Sequence, residues 1–214
     1  MSQELYERMA QSVIEGEPEQ AETLAVQALA ENLDPLEAIN NGYTAGMNHL
    51  GRQFAAGESY LPDLLAGAEA MKAAMRTLEP ELIKRGEARE IKGRVVIGTV
   101  YGDIHEIGKS LVATMLSANG FEVHDLGVSV KPETFIAKVK EFDANLLCMS
   151  ALLTTTMMGQ RQVVQALKQA GLRDRVKVMV GGAPVTSKWA SEIGADGFAE
   201  NAAGAVQVAT QLSR

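Results

Sequence analysis

Two hydrophobic spacings divide the chain. Up to about residue 82 apolar side chains recur every three or four positions, and from residue 94 they gather in short continuous runs. In "DPLEAINNGYTAGMNHLGRQF" the series Leu36, Ile39, Tyr43, Met47, Leu50 and Phe54 predicts one amphipathic helix. Leu64, Ala68, Met71, Met75, Leu78 and Leu82 predict a second. The first of these has a start signal, with Asp34 as N-cap, Pro35 at the first helical position and Glu37 three residues after the cap. Weaker versions of the pattern cover about residues 3 to 15 and 18 to 31, separated by "GEP". Together they predict a four-helix bundle over residues 1–84. Taken alone, a bundle of this size is more often a dimerisation or docking module than a chemical site.

The stretch "KRGEAREIKG" is polar and charged, and residues 85–93 read as a linker. After it come the apolar runs "RVVIGTVY", "FEVHDLG", "NLLCMS" and "VKVMVGG", with a weak fifth in "DGFAE". Helical stretches near residues 107 to 119, 132 to 142, 157 to 171 and 187 to 193 alternate with them, and a last helix starts at about residue 202. Continuous apolar strands separated by helices predict a parallel sheet covered on both faces. Residues 94–214 are therefore expected to form an α/β domain with a flavodoxin-like, Rossmann-type sheet of five strands in the order 2-1-3-4-5. In that order a ligand crevice lies beyond the carboxyl ends of strands 1 and 3.

Composition narrows the setting. At 214 residues and 46% hydrophobic the chain can bury a substantial core. It contains neither an apolar run of about 18 residues that would span a membrane nor a basic-then-apolar leader, so a cytoplasmic protein with no membrane partner is expected. Net charge is −7 and unevenly divided, with fourteen acids and five bases in residues 1–84 against thirteen acids and fifteen bases in the rest. An acidic first half argues against a nucleic-acid partner. The single cysteine, Cys148, lies within an apolar strand and is expected to act as a small buried hydrophobe.

Candidate chemistry converges on the crevice. Asp103, His105 and Gly108 follow strand 1, Ser150 and Leu152 follow strand 3, and Gly181 with Gly182 follow strand 4. Between Gly108 and Ser150 lie 41 residues, and between Leu152 and Gly181 lie 28. The set resembles the D-x-H-x-x-G, S-x-L and G-G motif of cobalamin-binding domains, in order and in spacing. The second half looks like the corrinoid domain of cobalamin-dependent methionine synthase, and the whole chain is similar to small corrinoid proteins of methyltransferase systems.

The resemblance implies roles. His105 would be the lower axial ligand of cobalt, and Asp103 would hold its other ring nitrogen. Thr156, six residues beyond Ser150, would end that chain on a hydroxyl, a departure in type from the serine of methionine synthase. Ser150, Gly181 and Gly182 would line the tunnel for the cofactor's nucleotide tail, Gly108 would give it room, and Gly102, Leu152 and Thr154 would complete the contacts. His49 and His124 match no ligand position. In the bundle, "MNHLGRQFAAGESYLPDLLAGAEAM" resembles the helical cap over the cobalt's upper face, which puts Phe54, Leu61 and Leu64 among the cap side chains with Tyr60 close by. The same residues fit the periodic stripes of a plain bundle core.

The activity so implied is that of a methyl carrier, the corrinoid subunit of a multi-component methyltransferase, with cobalamin or a related corrinoid cycling between Co(I) and methyl-Co(III). Its partners would be a substrate-specific methyltransferase, an acceptor methyltransferase using tetrahydrofolate or a thiol, and a reductive activase. Two rivals share the histidine motif. A cobalamin-dependent light-sensing regulator normally has a DNA-binding segment and a bundle tryptophan, whereas Trp189 is the chain's one tryptophan. The small subunit of an adenosylcobalamin mutase normally lacks the cap. Residue types do not reveal the methyl donor, which binds a partner.

Overall fold

The computed structural model describes residues 2–85 and 91–213. The chain divides into two compact units, Met1–Glu90 and Ile91–Arg214. Residues 86–90, the middle of the expected linker, lie outside the described residues.

The first unit is helical. It comprises α1 (Ser2–Ile14), α2 (Pro18–Ala30), the short α3 (Pro35–Glu37), a π-helix (Ala38–Thr44), α4 (Ala45–Ala56) and α5 (Leu61–Arg85). The Asp34 side chain accepts from the backbone N–H groups of Leu36 and Glu37, and Pro35 takes the first turn. The predicted third helix is thus continuous but contains seven residues of wider winding. Ile39, Tyr43 and Met47 are buried at spacings of four, which the wider turn keeps on one face. Close packing accompanies it. A side chain at Gly46 would bring its Cβ to 2.5 Å from the Ala10 carbonyl of α1, so only glycine allows this approach. Along α5 the stripe residues Leu64, Met71, Met75, Leu78 and Leu82 are buried.

The second unit alternates β1 (Arg94–Thr99), α6 (Ile107–Ala118), β2 (Glu122–Asp125), α7 (Pro132–Glu141), β3 (Leu146–Ser150), α8 (Met158–Gln169), β4 (Lys177–Gly181), α9 (Ser187–Ile193), β5 (Gly197–Phe198) and α10 (Ala202–Leu212). The five strands form one sheet in the order β2-β1-β3-β4-β5, all parallel. Strands β2 and β5 are shorter than their apolar runs, since "DGFAE" contributes only Gly197 and Phe198. Both stand at sheet edges, where one side lacks a partner strand.

One face of the sheet packs Val96, Leu147, Met149, Val178 and Val180 against Phe135, Val163, Leu167 and Trp189 from α7, α8 and α9. Burying side chains of this size contributes about 1.5–3 kcal/mol each. Helices α6 and α10 pack together and cover the alternate positions. Cys148 is buried in β3, and burial pushes its thiol pKa up, so it stays protonated. Register places Thr99, Ser150 and Gly181 side by side at the carboxyl ends of three neighbouring strands. The loops that leave those residues build the site.

Candidate functional site

Asp103 organises the carboxyl edge. It lies in the loop after β1 and is 1% exposed, which for a carboxylate demands several donors. Four are present. Oδ1 accepts from the His105 backbone N–H at 3.1 Å and pairs with His105 Nδ1 at 2.7 Å. Oδ2 accepts from the Leu152 backbone N–H at 2.8 Å and from the Thr156 hydroxyl at 2.6 Å. Burial acts to raise the Asp103 pKa, but the bonds from Thr156, Leu152 and His105 outweigh it and hold the carboxyl well below the usual carboxylate range. A carboxylate acceptor at Nδ1, ionised at neutral pH, places the ring proton there. Nε2 then keeps its lone pair, and it has no hydrogen-bond partner among the described residues. The imidazole is 47% exposed, so that lone pair is accessible.

A single imidazole offers one coordination position, which suits a metal whose remaining positions are filled by a macrocycle. The surroundings fit such a flat apolar ligand. Ten large hydrophobic side chains are exposed among the described residues. Six of them, Tyr101, Ile104, Ile107, Leu152, Leu153 and Met158, lie on the two segments joined by Asp103. Clustered exposed apolar residues mark a binding surface. Gly102 and Gly108 face open space, where an added Cβ would meet nothing within 4 Å. A cavity of about 620 Å³ opens at the opposite edge of the sheet, lined by Lys92, Arg94, Asn145 and Arg175, and takes no part in this arrangement.

Beside the histidine segment, β3 and β4 end together at Ser150 and Gly181. Ser150 is half-buried, and the Ala151 N–H donates to the Gly181 carbonyl at 3.2 Å. Gly182 has φ +122°, and a Cβ there would come within 1.9 Å of the Ala151 carbonyl, so no other residue fits. Thr154 is exposed on the turn before Thr156 and joins none of the bonds to Asp103. His49 is exposed, and His124 pairs with Glu122 and stacks on Phe142, a structural role.

In the helical unit, Phe54 and Leu61 are half-buried and Tyr60 is 72% exposed. Leu64 is 1% exposed, whereas its neighbour Leu65 is 47% exposed. Leu64 follows the helical stripe inward, and Leu65 lies one position off it.

Several supporting residues escaped the sequence reading. Thr99, fully buried at the end of β1, donates its hydroxyl to the His105 carbonyl at 2.9 Å. Ser129 adopts φ +51°, accepts from the Gly102 N–H through its hydroxyl and donates its own N–H to the Asp103 carbonyl. Lys109, next to Gly108, is buried and ion-paired with Asp125 at the end of β2. A lysine directly after the D-x-H-x-x-G glycine was a legible signal; the others depend on loop geometry.

These features define an α/β domain with one accessible imidazole and a cluster of exposed apolar side chains at the topological switch point of its sheet. Family models described as B12 binding domains match residues 93–207 and, separately, residues 5–79, and the chain belongs to this B12-binding family. It is 50% identical over 204 residues to trimethylamine corrinoid protein 2 of Methanosarcina acetivorans, covering 95% of this chain and 94% of that one. It is 47% identical over 210 residues to dimethylamine corrinoid protein 2 of Methanosarcina mazei, covering 98% and 97%. Among solved structures, the methanol:cobalamin methyltransferase complex from Methanosarcina barkeri matches with a TM-score of 0.83 at 31% identity, over 98% of this chain and 80% of that one.

Proposed function

We propose that the protein is a corrinoid methyl carrier, with His105 as the axial ligand of cobalt. The observation that carries this reading is an accessible Nε2 whose tautomer is fixed by a buried, four-fold hydrogen-bonded Asp103. When bound, the corrinoid supplies the cobalt centre that accepts a methyl group and gives it up again. The chain supplies the rest. Asp103 keeps the proton on Nδ1, Thr156 and the Leu152 N–H keep Asp103 in place, and Thr99 holds the His105 backbone. Ser150, Gly181 and Gly182 line the crevice for the nucleotide tail, with Gly102, Gly108, Leu152 and Thr154 along the approach. Phe54, Leu61 and Leu64, with Tyr60 close by, would exclude water from the upper face, where dryness protects a reactive centre.

The partners in this reading are a substrate-specific methyltransferase, an acceptor methyltransferase and a reductive activase. A methyltransferase partner is supported by the likeness to the methanol:cobalamin methyltransferase complex, and a methylated amine as donor by the higher identity to trimethylamine and dimethylamine corrinoid proteins. The same full-length likeness favours the carrier over the light sensor and the mutase subunit. The absence of any helix among the described residues long and apolar enough to cross a membrane accords with work in the cytoplasm.

The test is reconstitution with hydroxocobalamin followed by addition of purified trimethylamine, dimethylamine or methanol methyltransferase with its substrate. Methylation of the carrier by an amine enzyme is expected. A protein that stays colourless after desalting ends the reading, and methylation by the methanol enzyme alone overturns the donor assignment.

A further inference from the structure

One fully buried polar side chain of the cobalamin domain has no role so far. Gln160, in the first turn of α8, is 0% exposed, and its amide reaches three different elements. Nε2 donates to the Met149 carbonyl of β3 at 3.2 Å and to the Gly181 carbonyl at the end of β4 at 3.1 Å. Oε1 accepts from the indole N–H of Trp189 on α9 at 2.9 Å. Two carbonyls require the NH₂ and an indole requires the oxygen, so the partners fix the amide orientation. The Arg161 guanidinium lies 4.7 Å over the indole ring and holds it from a second side.

The position of these bonds matters more than their number. The β3–β4 register ends at Ser150 with Gly181, and the Ala151 N–H to Gly181 carbonyl bond follows directly. Past that point β4 turns at Gly182, whose backbone lies against the Ala151 carbonyl. Gln160 ties both strand ends together from the face that α8 covers. An apolar side chain would fill the same volume without burying an amide, so the hydrogen bonds, and the strand spacing they impose, are what the residue contributes.

We infer that Gln160 is a positioning residue that sets the separation of the β3 and β4 ends, and so fits the crevice to the nucleotide tail of the corrinoid rather than to its ring. The inference rests on the proposed carrier function, specifically on the tail entering this crevice.

The test compares binding of two probes to the apo protein: hydroxocobalamin, and diaquacobinamide, which has the corrin ring without the nucleotide. Gln160→Met keeps the length and removes every hydrogen bond. It should weaken hydroxocobalamin about tenfold, the scale of one net hydrogen bond, and change diaquacobinamide by no more than about twofold. Trp189→Phe keeps both carbonyl contacts while removing the indole donor and trimming the ring that Arg161 covers, so hydroxocobalamin should weaken by about threefold with diaquacobinamide again unchanged. Thermal melts confirm folding, and in Gln160→Met the emission of the single tryptophan should shift as its N–H loses its acceptor. Equal losses for both probes would reduce Gln160 to a core residue, and an unchanged ratio would leave it without this role. If Gln160→Met does not fold, Trp189→Phe decides by the same criterion. A wild-type protein that binds both probes equally removes the tail from the crevice, and the inference falls with that part of the carrier reading.

Discussion

Replacing Asp103 by Asn removes one charge and turns one acceptor oxygen into a donor, in a site where all four contacts are donors. With the new NH₂ in the Oδ1 place, His105 would have to shift its proton from Nδ1 to Nε2 and lose the lone pair that faces the ligand. With it in the Oδ2 place, the Thr156 hydroxyl can turn and accept, and only the Leu152 N–H is stranded. The second arrangement keeps more bonds and is the one expected. It leaves one buried N–H without an acceptor and removes charge assistance from the other contacts, about 3 kcal/mol together. For a domain of this size that lowers Tm by roughly 10 °C. Affinity for hydroxocobalamin should fall about 10- to 100-fold, as for other residues that orient a metal-binding histidine. The pH dependence has a definite sign. The folded Asp103 carboxyl titrates below the roughly 3.9 of an unfolded aspartate, so its contribution is complete above that pH and is lost as pH falls through the folded value. Melts of the apo protein by circular dichroism should therefore show the full gap between wild type and Asp103→Asn at pH 7, narrowing below about pH 4. Equal melts at pH 7, or a gap that widens in acid, would refute the reasoning.

Thr156→Val keeps the shape but removes a 2.6 Å bond to the carboxylate, and should weaken hydroxocobalamin binding by about tenfold in equilibrium titration, with Thr156→Ser restoring most of it. Phe54→Ala combined with Leu61→Ala should leave hydroxocobalamin binding nearly intact while the methylated holoprotein loses its methyl group faster under light, followed by absorbance. Undiminished protection in that double variant would return these residues to plain bundle packing. Thr99→Val should loosen the His105 loop, seen as faster amide exchange at residues 103 to 105 in the apo protein, because the His105 carbonyl loses the Thr99 hydroxyl donor.

The sheet was legible because its strands are continuous apolar runs broken by helices, a pattern that requires no tertiary information. Its order follows from connection rules, and the observed β2-β1-β3-β4-β5 matches the expectation. Asp103, His105 and Thr156 were legible for a different reason, since they stand in a motif whose spacing resembles a known family. What the motif could not convey is the backbone. Leu152 enters the site through its N–H rather than its side chain, and Ser129 acts through a left-handed conformation that its residue type does not announce. Gln160 reads as an ordinary helix-surface residue until α8 is laid on the sheet. The π-helix was hidden because spacings of three and four fit an ordinary helix.

The central claim is that Nε2 of His105 ligates the cobalt of a bound corrinoid. Its most direct test is the electron paramagnetic resonance of the protein reconstituted with Co(II) cobalamin, once with natural histidine and once with histidine labelled with ¹⁵N in the ring. Superhyperfine splitting should change from a triplet to a doublet on labelling, and should disappear in His105→Ala. A triplet that persists in the labelled protein would show that the cofactor's own base, and not His105, occupies the lower axial position.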